Sequence, residues 1–283
     1  MADDGQMQFG VDPERPTTIG SVAITYGPTS RLLTPASGFM SDYDFTLNPF
    51  SGCSFGCTYC YAAFFTRDPK LQDDWGQWVK VKENAAAQLR RRRNSLAGRS
   101  IYMSSVTDPY QPIERHLGLV RELLEILLED QPRLVVQTRS PLVTRDLDLL
   151  SRFEHVRVNM TVTTDDDRVR RSFEPAAPAT KLRLEAITAV VEAGIPASIT
   201  MTPLLPVKDP EAFADSLVAT GVSTFVVQDF HPTKGQFVAG TGTQAVALIE
   251  ELGWDHERYI QTVKILRSRL PRLVEGRAGF APE

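Results

Sequence analysis

The feature that most constrains this chain is a regular alternation of short apolar runs with longer amphipathic segments. The segments with the pattern of strands are Phe45–Pro49, Ile101–Val106, Leu134–Thr138, Val156–Thr163, Ala197–Thr202 and Thr224–Gln228. The segments with the pattern of helices are Lys82–Asn94, Arg115–Glu129, Leu142–Arg152, Lys181–Ala193, Pro210–Ala219 and Asp255–Arg269. Strands that alternate with helices pair in parallel through right-handed crossovers. The sequence therefore predicts an α/β fold.

One predicted strand indicates what the inside of this sheet contains. Along Val156–Thr163, the side chains of Asn159, Thr161 and Thr163 fall on one face and apolar side chains fall on the other. The polar face needs an interior that holds something polar. Six strand–helix units are too few for the closed eight-unit barrel that fills itself with side chains. We therefore expect a partial, open parallel (β/α)6 barrel with a central cavity, whose ligands bind at the carboxyl ends of the strands.

Composition bounds the rest of the chain. Residues 1–42 are rich in Pro, Gly, Ser and Thr and predict an extended leader, with one hairpin around Val22–Tyr26, ahead of a barrel domain over residues 43–283. The net charge of -4 gives no overall indication of nucleic-acid binding. No apolar run approaches the roughly 20 residues of a membrane helix. Met1–Gly10 lacks the basic start and apolar core of a secretory signal, so we expect a cytoplasmic protein with no membrane association.

The three cysteines of the chain lie within eight residues of each other, as Cys53, Cys57 and Cys60. An odd and tightly clustered set cannot form a complete disulfide framework, and thiolates favour zinc and iron–sulfur centres. In a cubane cluster of four irons, three thiolates leave one iron for another protein ligand or for an exogenous one. The alternatives are a zinc knuckle or three inert buried thiols. A knuckle needs a fourth ligand close by, and the nearest histidine, His116, is far downstream.

The cysteines belong to the segment Asn48–Ala63, which reads NPFSGCSFGCTYCYAA. With Tyr59 as the aromatic residue, the pattern C-x3-C-x-Φ-C resembles the signature of the radical S-adenosylmethionine (SAM) superfamily. The resemblance implies a [4Fe-4S] cluster on the three cysteines, with Tyr59 near the adenine of SAM. It also implies that the open iron chelates the amino and carboxylate groups of SAM. Reduction then cleaves SAM to methionine and a 5′-deoxyadenosyl radical, which takes a hydrogen atom from the substrate.

Three further segments extend the resemblance. They are SSVTDPYQPIE at Ser104–Glu114, QTRSPLVTRDLDLL at Gln137–Leu150, and TVTTDD followed by FEPAAPATKLRLEAI within Thr161–Ile187. All are similar to the spore-photoproduct-lyase-related branch, often labelled DNA-repair-photolyase-like. The similarity runs from about Asp44 to about Pro206, which is most of the predicted barrel.

The resemblance also implies which side chains bind SAM. Small polar residues at the end of the second strand lie near its amino and methionyl groups, a position that Ser104, Thr107 and Asp108 occupy here. Arg139, at the end of the third strand, is placed to reach the SAM carboxylate as a bidentate partner. Two threonines of the fourth strand face the cavity and could bind the ribose or methionyl groups; they are Thr161 and Thr163. The alternatives are an Asp-Pro turn, a charge at a helix start and ordinary β-branched strand residues.

Two residues are candidates for the handling of the hydrogen atom. Ser105 occupies the place where spore photoproduct lyase has a hydrogen-donating cysteine. A serine O–H bond is too strong to donate readily to a carbon radical, so we expect that this protein does not repair spore photoproduct. Tyr110 is a candidate relay. Three other tyrosines could act in the same way, namely Tyr43, Tyr61 and Tyr102.

Three functions are consistent with these features. The first is a radical SAM enzyme of unassigned substrate, supplied with electrons by a flavodoxin-type or ferredoxin-type reductant. The second is a nucleic-acid repair or modification lyase of the same branch, which would need a basic groove; Arg90–Arg93, Arg168, Arg170 and Arg171 are candidates, but the acidic pI of about 5.7 disfavours it. The third is an iron–sulfur electron carrier or sensor without SAM chemistry, which the polar cavity disfavours.

Overall fold

The structure is a computed structural model that describes residues 15–232 and 240–282. Its strands are β1 Thr18–Ile19, β2 Val22–Gly27, β3 Leu33–Pro35, β4 Phe45–Leu47, β5 Phe50–Ser51, β6 Trp78–Lys82, β7 Ser100–Met103, β8 Arg133–Thr138, β9 Val156–Thr161, β10 Ala197–Met201, β11 Thr224–Val227 and β12 Leu273–Glu275. Its α-helices are α1 Pro69–Asp73, α2 Ala85–Arg90, α3 Glu114–Leu117, α4 Leu119–Asp130, α5 Leu147–Leu150, α6 Asp167–Phe173, α7 Thr180–Glu192, α8 Pro210–Val218, α9 Thr243–Glu251 and α10 His256–Arg269. Four 3-10 segments are Gly38–Met40, Tyr61–Phe65, Pro141–Asp146 and Gly276–Phe280.

The large sheet contains the six strands that the sequence predicts. β4, β7, β8, β9, β10 and β11 lie side by side in chain order, and every neighbouring pair among them is parallel. β3 pairs with β4 in the antiparallel sense at one edge, and β12 pairs with β11 in parallel at the other. The predicted α/β fold with an open parallel sheet of the partial-barrel type is confirmed.

Side-chain contacts show how strongly this sheet curves. Gln137 on β8 donates from Nε2 to the Thr200 hydroxyl on β10, 3.0 Å away across the intervening strand. At the amino ends of the strands, Tyr43 donates its hydroxyl proton to the carbonyl of Phe280, close to the C-terminus, at 2.6 Å. The Phe280 ring also packs on Tyr102 of β7, with ring centroids 6.5 Å apart. The segment that follows β12 therefore packs across the amino ends of the strands, at the bottom of the open barrel.

Local sequence explains where the packed helices form. Along α4, Leu123 and Leu127 lie one turn apart on a buried stripe that belongs to the main hydrophobic core. α8 begins with Pro210 at its first position, and the Asp209 side chain accepts hydrogen bonds from two backbone N–H groups of the first turn. In the part of the chain that the structure describes, no helix is long and apolar enough to cross a membrane.

Three predicted helices differ from the structure. The interval Lys82–Asn94 begins in the strand β6, because Trp78–Lys82 pairs with β2, and its helical part is only α2. The interval Arg115–Glu129 is divided into α3 and α4 at Gly118, whose φ of 62° ends the first helix. The interval Leu142–Arg152 is a 3-10 segment followed by the single turn α5, since the backbone of Asp146 leaves the helical region.

The sequence did not predict a second, four-stranded sheet of order β1-β2-β6-β5. β1 and β2 form the hairpin expected around Val22–Tyr26, and β2 pairs in parallel with β6. This sheet ends at β5, directly before the cysteines, so it fixes the start of their loop. Residues 1–14 of the expected leader lie outside the described residues, and the division between residues 42 and 43 stays a prediction.

Candidate functional site

The three cysteines lie in one loop that leaves β5, which we call the cysteine loop (residues 52–60). Cys53 and Cys57 are buried, and all three thiols are free of disulfide bonds. Two backbone hydrogen bonds fold the loop into successive turns, from Gly56 N to the Cys53 carbonyl at 3.2 Å and from Cys60 N to the Cys57 carbonyl at 3.1 Å. These turns keep the three side chains within one short stretch of backbone.

Two glycines let this loop pack closely against Gly76 and the start of β6. Gly52 has φ of +76°, and a Cβ placed on it would lie 2.5 Å from the Trp78 carbonyl oxygen. Gly56 has φ of +58°, and its Cβ would lie 3.1 Å from the Cα of Gly76. Both positions therefore require glycine for conformation and for space.

Burial sets the protonation of the thiols. It raises the pKa of Cys57 to about 12, although the nearby Arg139 guanidinium opposes this rise. The loop alone therefore keeps this thiol neutral, and a bound metal would have to displace its proton. Among the described residues, no group of three or more His, Cys, Asp or Glu side chains is already arranged to hold a metal ion. The assignment of Cys53, Cys57 and Cys60 as ligands stays a prediction.

The end of β7 lies directly against the cysteine loop. The Thr107 hydroxyl donates to the Gly52 carbonyl at 2.6 Å. Ser104 is buried with φ of +73°, and its hydroxyl has no hydrogen-bond partner. The Ser105 hydroxyl accepts from Asn48 Nδ2 at 3.3 Å, and its backbone carbonyl accepts from the Tyr61 hydroxyl. The structure thus brings these serines and this threonine to the site that the sequence indicated.

Asp108 is buried and makes three hydrogen bonds. Its carboxylate accepts from the Thr138 hydroxyl at 2.8 Å, from Arg139 N at 2.8 Å and from Tyr110 N at 2.9 Å. Burial raises the pKa of Asp108, and these donors and the Arg139 charge oppose that rise. Asp108 therefore fixes the end of β8 and the backbone of Arg139; its contact with SAM stays a prediction.

Arg139 is part of a buried ion cluster centred on Glu174, which we call the Glu174 hub. One oxygen of Glu174 accepts from Arg139 Nη1 at 3.0 Å, the Tyr59 hydroxyl at 2.5 Å and the Thr163 hydroxyl at 2.9 Å. The other oxygen pairs with Arg183, and both of these side chains are fully buried. Arg139 Nη1 also lies 2.9 Å from the sulfur of Cys57. The hub therefore links three predicted site residues to the cysteine loop.

Electrostatics keep the hub charged. Burial by itself raises the pKa of Glu174, but the charges of Arg183 and Arg139, with hydrogen bonds from Arg183 and Tyr59, lower it to about 2. Its carboxylate is therefore ionised at neutral pH and holds both guanidinium groups. Asp108 supplies a second carboxylate close enough to interact with the Arg139 charge. The cations of Arg139 and Arg183 thus both face the ionised carboxylate of Glu174.

Below the hub, the barrel interior contains neutral polar groups. Gln137 Nε2 donates to the Thr161 hydroxyl at 2.7 Å, and its oxygen accepts from the Tyr102 hydroxyl at 2.7 Å. The hydroxyls of Thr161 and Thr200 lie 3.2 Å apart. Thr161 therefore faces the interior, as predicted, but it is committed to a network of protein side chains.

Tyr110 lies in a different cluster. Its ring faces Arg145, whose guanidinium carbon is 5.9 Å from the ring centroid. Arg145 pairs with two buried carboxylates, those of Glu114 and Asp146, each at 2.7 Å. The structure does not place Tyr110 in the Glu174 hub, and its catalytic role stays a prediction.

Sequence reasoning missed Glu174 and Arg183. A signal for them was present, because Arg183 lies on the apolar stripe of α7 that continues through Ala186, Ile187 and Val190. A cation on a buried stripe requires a buried acid. The Glu-Pro step before the helix supplied that acid, but nothing in the sequence showed that it also contacts Tyr59 and Arg139.

Comparison with known sequences identifies a family for most of this chain. The family model described as "Radical SAM superfamily" matches residues 47–218, which is more than half of the chain. An uncharacterized protein of Methanocaldococcus jannaschii is 33% identical over 162 residues, 57% of this chain and 61% of the relative. The Radical SAM Nalpha-GlyT isomerase of Pseudomonas phage M6 is 26% identical over 216 residues, 75% of this chain and 42% of the relative. The chain thus spans less than two thirds of the length of either relative.

Solved structures give the same answer for the fold. Spore photoproduct lyase complexed with dinucleoside spore photoproduct superposes with a TM-score of 0.60 at 14% identity, over 89% of this chain and 81% of the lyase. At that identity the likeness concerns the fold alone. The match to the family model confirms the family that the sequence indicated: the chain belongs to the radical SAM superfamily.

Proposed function

We propose that Cys53, Cys57 and Cys60 hold a [4Fe-4S] cluster at which SAM is bound and cleaved, and that the enzyme removes a hydrogen atom from a substrate other than spore photoproduct. The observation that carries this proposal is the position of the cysteine loop. It lies at the carboxyl ends of the parallel strands, with the Arg139 guanidinium 2.9 Å from the sulfur of Cys57.

The residues present fit both groups. Three thiols in one loop are the donor set that iron–sulfur clusters take, and three thiolates leave one iron for another ligand. The buried Ser104 hydroxyl has no partner in the protein, so it is available to a polar ligand at the end of β7. For SAM we assign Ser104, Thr107, Asp108 and Arg139 to its amino-acid part, Tyr59 to the adenine, and Thr161 and Thr163 to the ribose or methionyl groups.

When bound and reduced, the cluster supplies the electron that cleaves SAM to methionine and a 5′-deoxyadenosyl radical, which removes a hydrogen atom from the substrate. The protein orients the reactants and excludes water. Asp108 and Glu174 fix the backbone and the guanidinium of Arg139, respectively, so this cation is held in place before a carboxylate arrives. Tyr59 is held through its hydroxyl by Glu174, so its ring has one orientation.

Anaerobic reconstitution tests this proposal. The wild-type chain should hold about four irons and release 5′-deoxyadenosine from SAM when dithionite is present. Cys57→Ala should lose both properties, whereas Ser54→Ala, a change in the same loop that removes no thiol, should keep them. Bound zinc without iron, or iron without any SAM cleavage, would contradict the proposal; the second result would favour an electron carrier or sensor.

Ser105 supports the exclusion of spore photoproduct. The three cysteines of the chain are all in the cysteine loop, so none is left to donate a hydrogen atom to a product radical. The Ser105 hydroxyl is instead hydrogen-bonded to Asn48. A tyrosine, or return of the hydrogen atom from 5′-deoxyadenosine, would have to quench the substrate radical.

A nucleic-acid substrate is the second candidate. It is favoured by the likeness in fold to a lyase solved with a dinucleoside photoproduct. The net charge of -4 disfavours strong phosphate binding. A titration with single-stranded and duplex DNA at two salt concentrations tests it, because phosphate contacts weaken steeply with salt.

A flavodoxin-type or ferredoxin-type reductant is the partner that we propose for electron supply in a cytoplasmic setting.

A further inference from the structure

The segment before α9 packs on Thr58 of the cysteine loop. A Cβ placed on Gly242 would lie 2.6 Å from the Thr58 carbonyl oxygen, and real Cβ atoms essentially never come closer than 3.0 Å to such an atom. The backbone of Gly242 has φ of −61° and ψ of 139°, a conformation open to any residue. Space, rather than conformation, therefore requires glycine at residue 242.

Thr58 is held from its other side as well. Its backbone N–H donates to the Phe173 carbonyl, at the end of α6, at 2.8 Å. Two residues before Gly242, a Cβ on the buried Gly240 would lie 3.1 Å from the ring of Phe64, just beyond the cysteine loop. Thr58 therefore lies between α6 and the segment 240–242.

Gly242 stands where a helix usually has a capping side chain. Gly242 is the N-cap of α9 and makes no side-chain cap hydrogen bond. Ser, Thr, Asp or Asn would satisfy an N–H group of the first turn and stabilise the helix. The close approach to Thr58 leaves no room for any of them.

We propose that Gly242 is a positioning residue for the metal-binding loop: its close packing on Thr58 sets the peptide that joins Cys57 to the segment ending at Cys60. The proposal rests on the proposed function, since it assigns a residue to the same cluster site. It also places part of that site beyond residues 47–218, the stretch that matches the family model.

The size of the effect follows from the contact. Raising the Cβ-to-oxygen distance from 2.6 Å to 3.0 Å needs a displacement of at least 0.4 Å. Thr58 directly follows one predicted ligand and precedes another by two residues, so its displacement moves both sulfurs. Metal–ligand distances tolerate only about 0.2 Å. Misplaced supporting residues typically cost about 10-fold to 100-fold in metal affinity.

The test compares Gly242→Ala with Gly279→Ala in the full chain. The Cβ of alanine at residue 279 would lie 2.5 Å from Val226 Cγ1, a comparable overlap at the bottom of the barrel beside Phe280. Both variants should unfold at lower temperature than wild type. Only Gly242→Ala should lose iron to a chelator about tenfold faster and show an altered EPR spectrum of the reduced cluster.

Equal rates of iron loss in the two variants would overturn the proposal, and so would a Gly242→Ala variant with the iron-loss rate and EPR spectrum of wild type.

If wild type holds no iron, the proposed function fails. The positioning role of Gly242 is then tested by the alkylation rates of Cys57 and Cys60 in the metal-free chain. Relative to wild type, these rates should change in Gly242→Ala and not in Gly279→Ala. If Gly242→Ala does not fold, Gly240→Ala replaces it. Its milder overlap is with the Phe64 ring, so Phe64→Ala should restore iron retention; no defect, or a defect without rescue, overturns the proposal.

Discussion

Replacing Glu174 by glutamine should strongly destabilise the protein. Glutamine keeps the size of the side chain but removes the charge that faces two buried guanidinium groups. Arg183 is fully buried and Arg139 is 17% exposed, so neither cation can turn to water without disturbing the barrel. The substitution would therefore leave buried positive charge without its partner.

Two independent estimates give the magnitude. Removing one partner of a buried ion pair costs about 3–5 kcal/mol. The carboxyl pKa of Glu174 is about 2, against an ordinary value of 4.5. At about 1.36 kcal/mol per pH unit, this difference corresponds to about 3 kcal/mol of stability at neutral pH. Because whole domains are stable by only about 5–15 kcal/mol, Glu174→Gln removes a large fraction of the total.

Urea unfolding of the metal-free chain at pH 7 measures this loss. Glu185→Gln is the matched control, since it makes the same chemical change on α7 in an exposed pair with Lys181 at 3.8 Å. Such a pair is worth about 0.5 kcal/mol or less. Equal losses of under 1 kcal/mol in both variants would refute the reasoning that the hub is a buried, charged cluster.

Three further outcomes are expected. Arg139→Ala should raise the Kd for SAM about tenfold or more in the reconstituted protein, because a charge-assisted pair contributes about 1.5–3 kcal/mol; unchanged affinity would remove Arg139 from the SAM site. The folded-state pKa of Glu174 lies below its ordinary value, so the charge of Glu174 stabilises the fold fully above pH 4.5 and loses this effect as pH falls toward 2. The difference in unfolding free energy between wild type and Glu174→Gln should therefore narrow over that interval. Wild type with SAM and reductant should leave a dinucleotide spore photoproduct unchanged, and activity gained in Ser105→Cys would place residue 105 at the donor position; clean conversion by wild type would show that the substrate exclusion is wrong.

The sequence predicted those features that depend on local pattern. All six parallel strands were correct in order and approximate position, since apolar runs of strand length lie between amphipathic segments. The motif residues were found because their spacing is short, and the structure does bring Thr107 and Arg139 into contact with the cysteine loop. Helix boundaries failed where tertiary pairing overrode propensity, as when Lys82 joined a strand that pairs with β2.

Contacts between distant segments could not be predicted in this way. Glu174 and Cys57 are far apart in the chain, and only the curvature of the sheet brings Arg139 between them. The sequence alone does not distinguish Gly242 from other glycines, since a glycine before a helix is an ordinary cap. Its role follows from a distance to Thr58 that exists only in the folded chain.

The order of the polar layers explains why the chemistry belongs at one end of this barrel. At the bottom, the guanidinium of Arg157 donates hydrogen bonds to Asn159 and to the carbonyl of Ala281, and the carbonyl of Phe280 accepts from Tyr43. The middle layer around Gln137 contains neutral groups that are hydrogen-bonded to one another. Ionised side chains that contact a thiol occur in the top layer, where Arg139 keeps some exposure. If the proposed radical forms there, hydrogen-bonded neutral side chains lie beneath it, and a substrate would approach from the side of the cysteine loop.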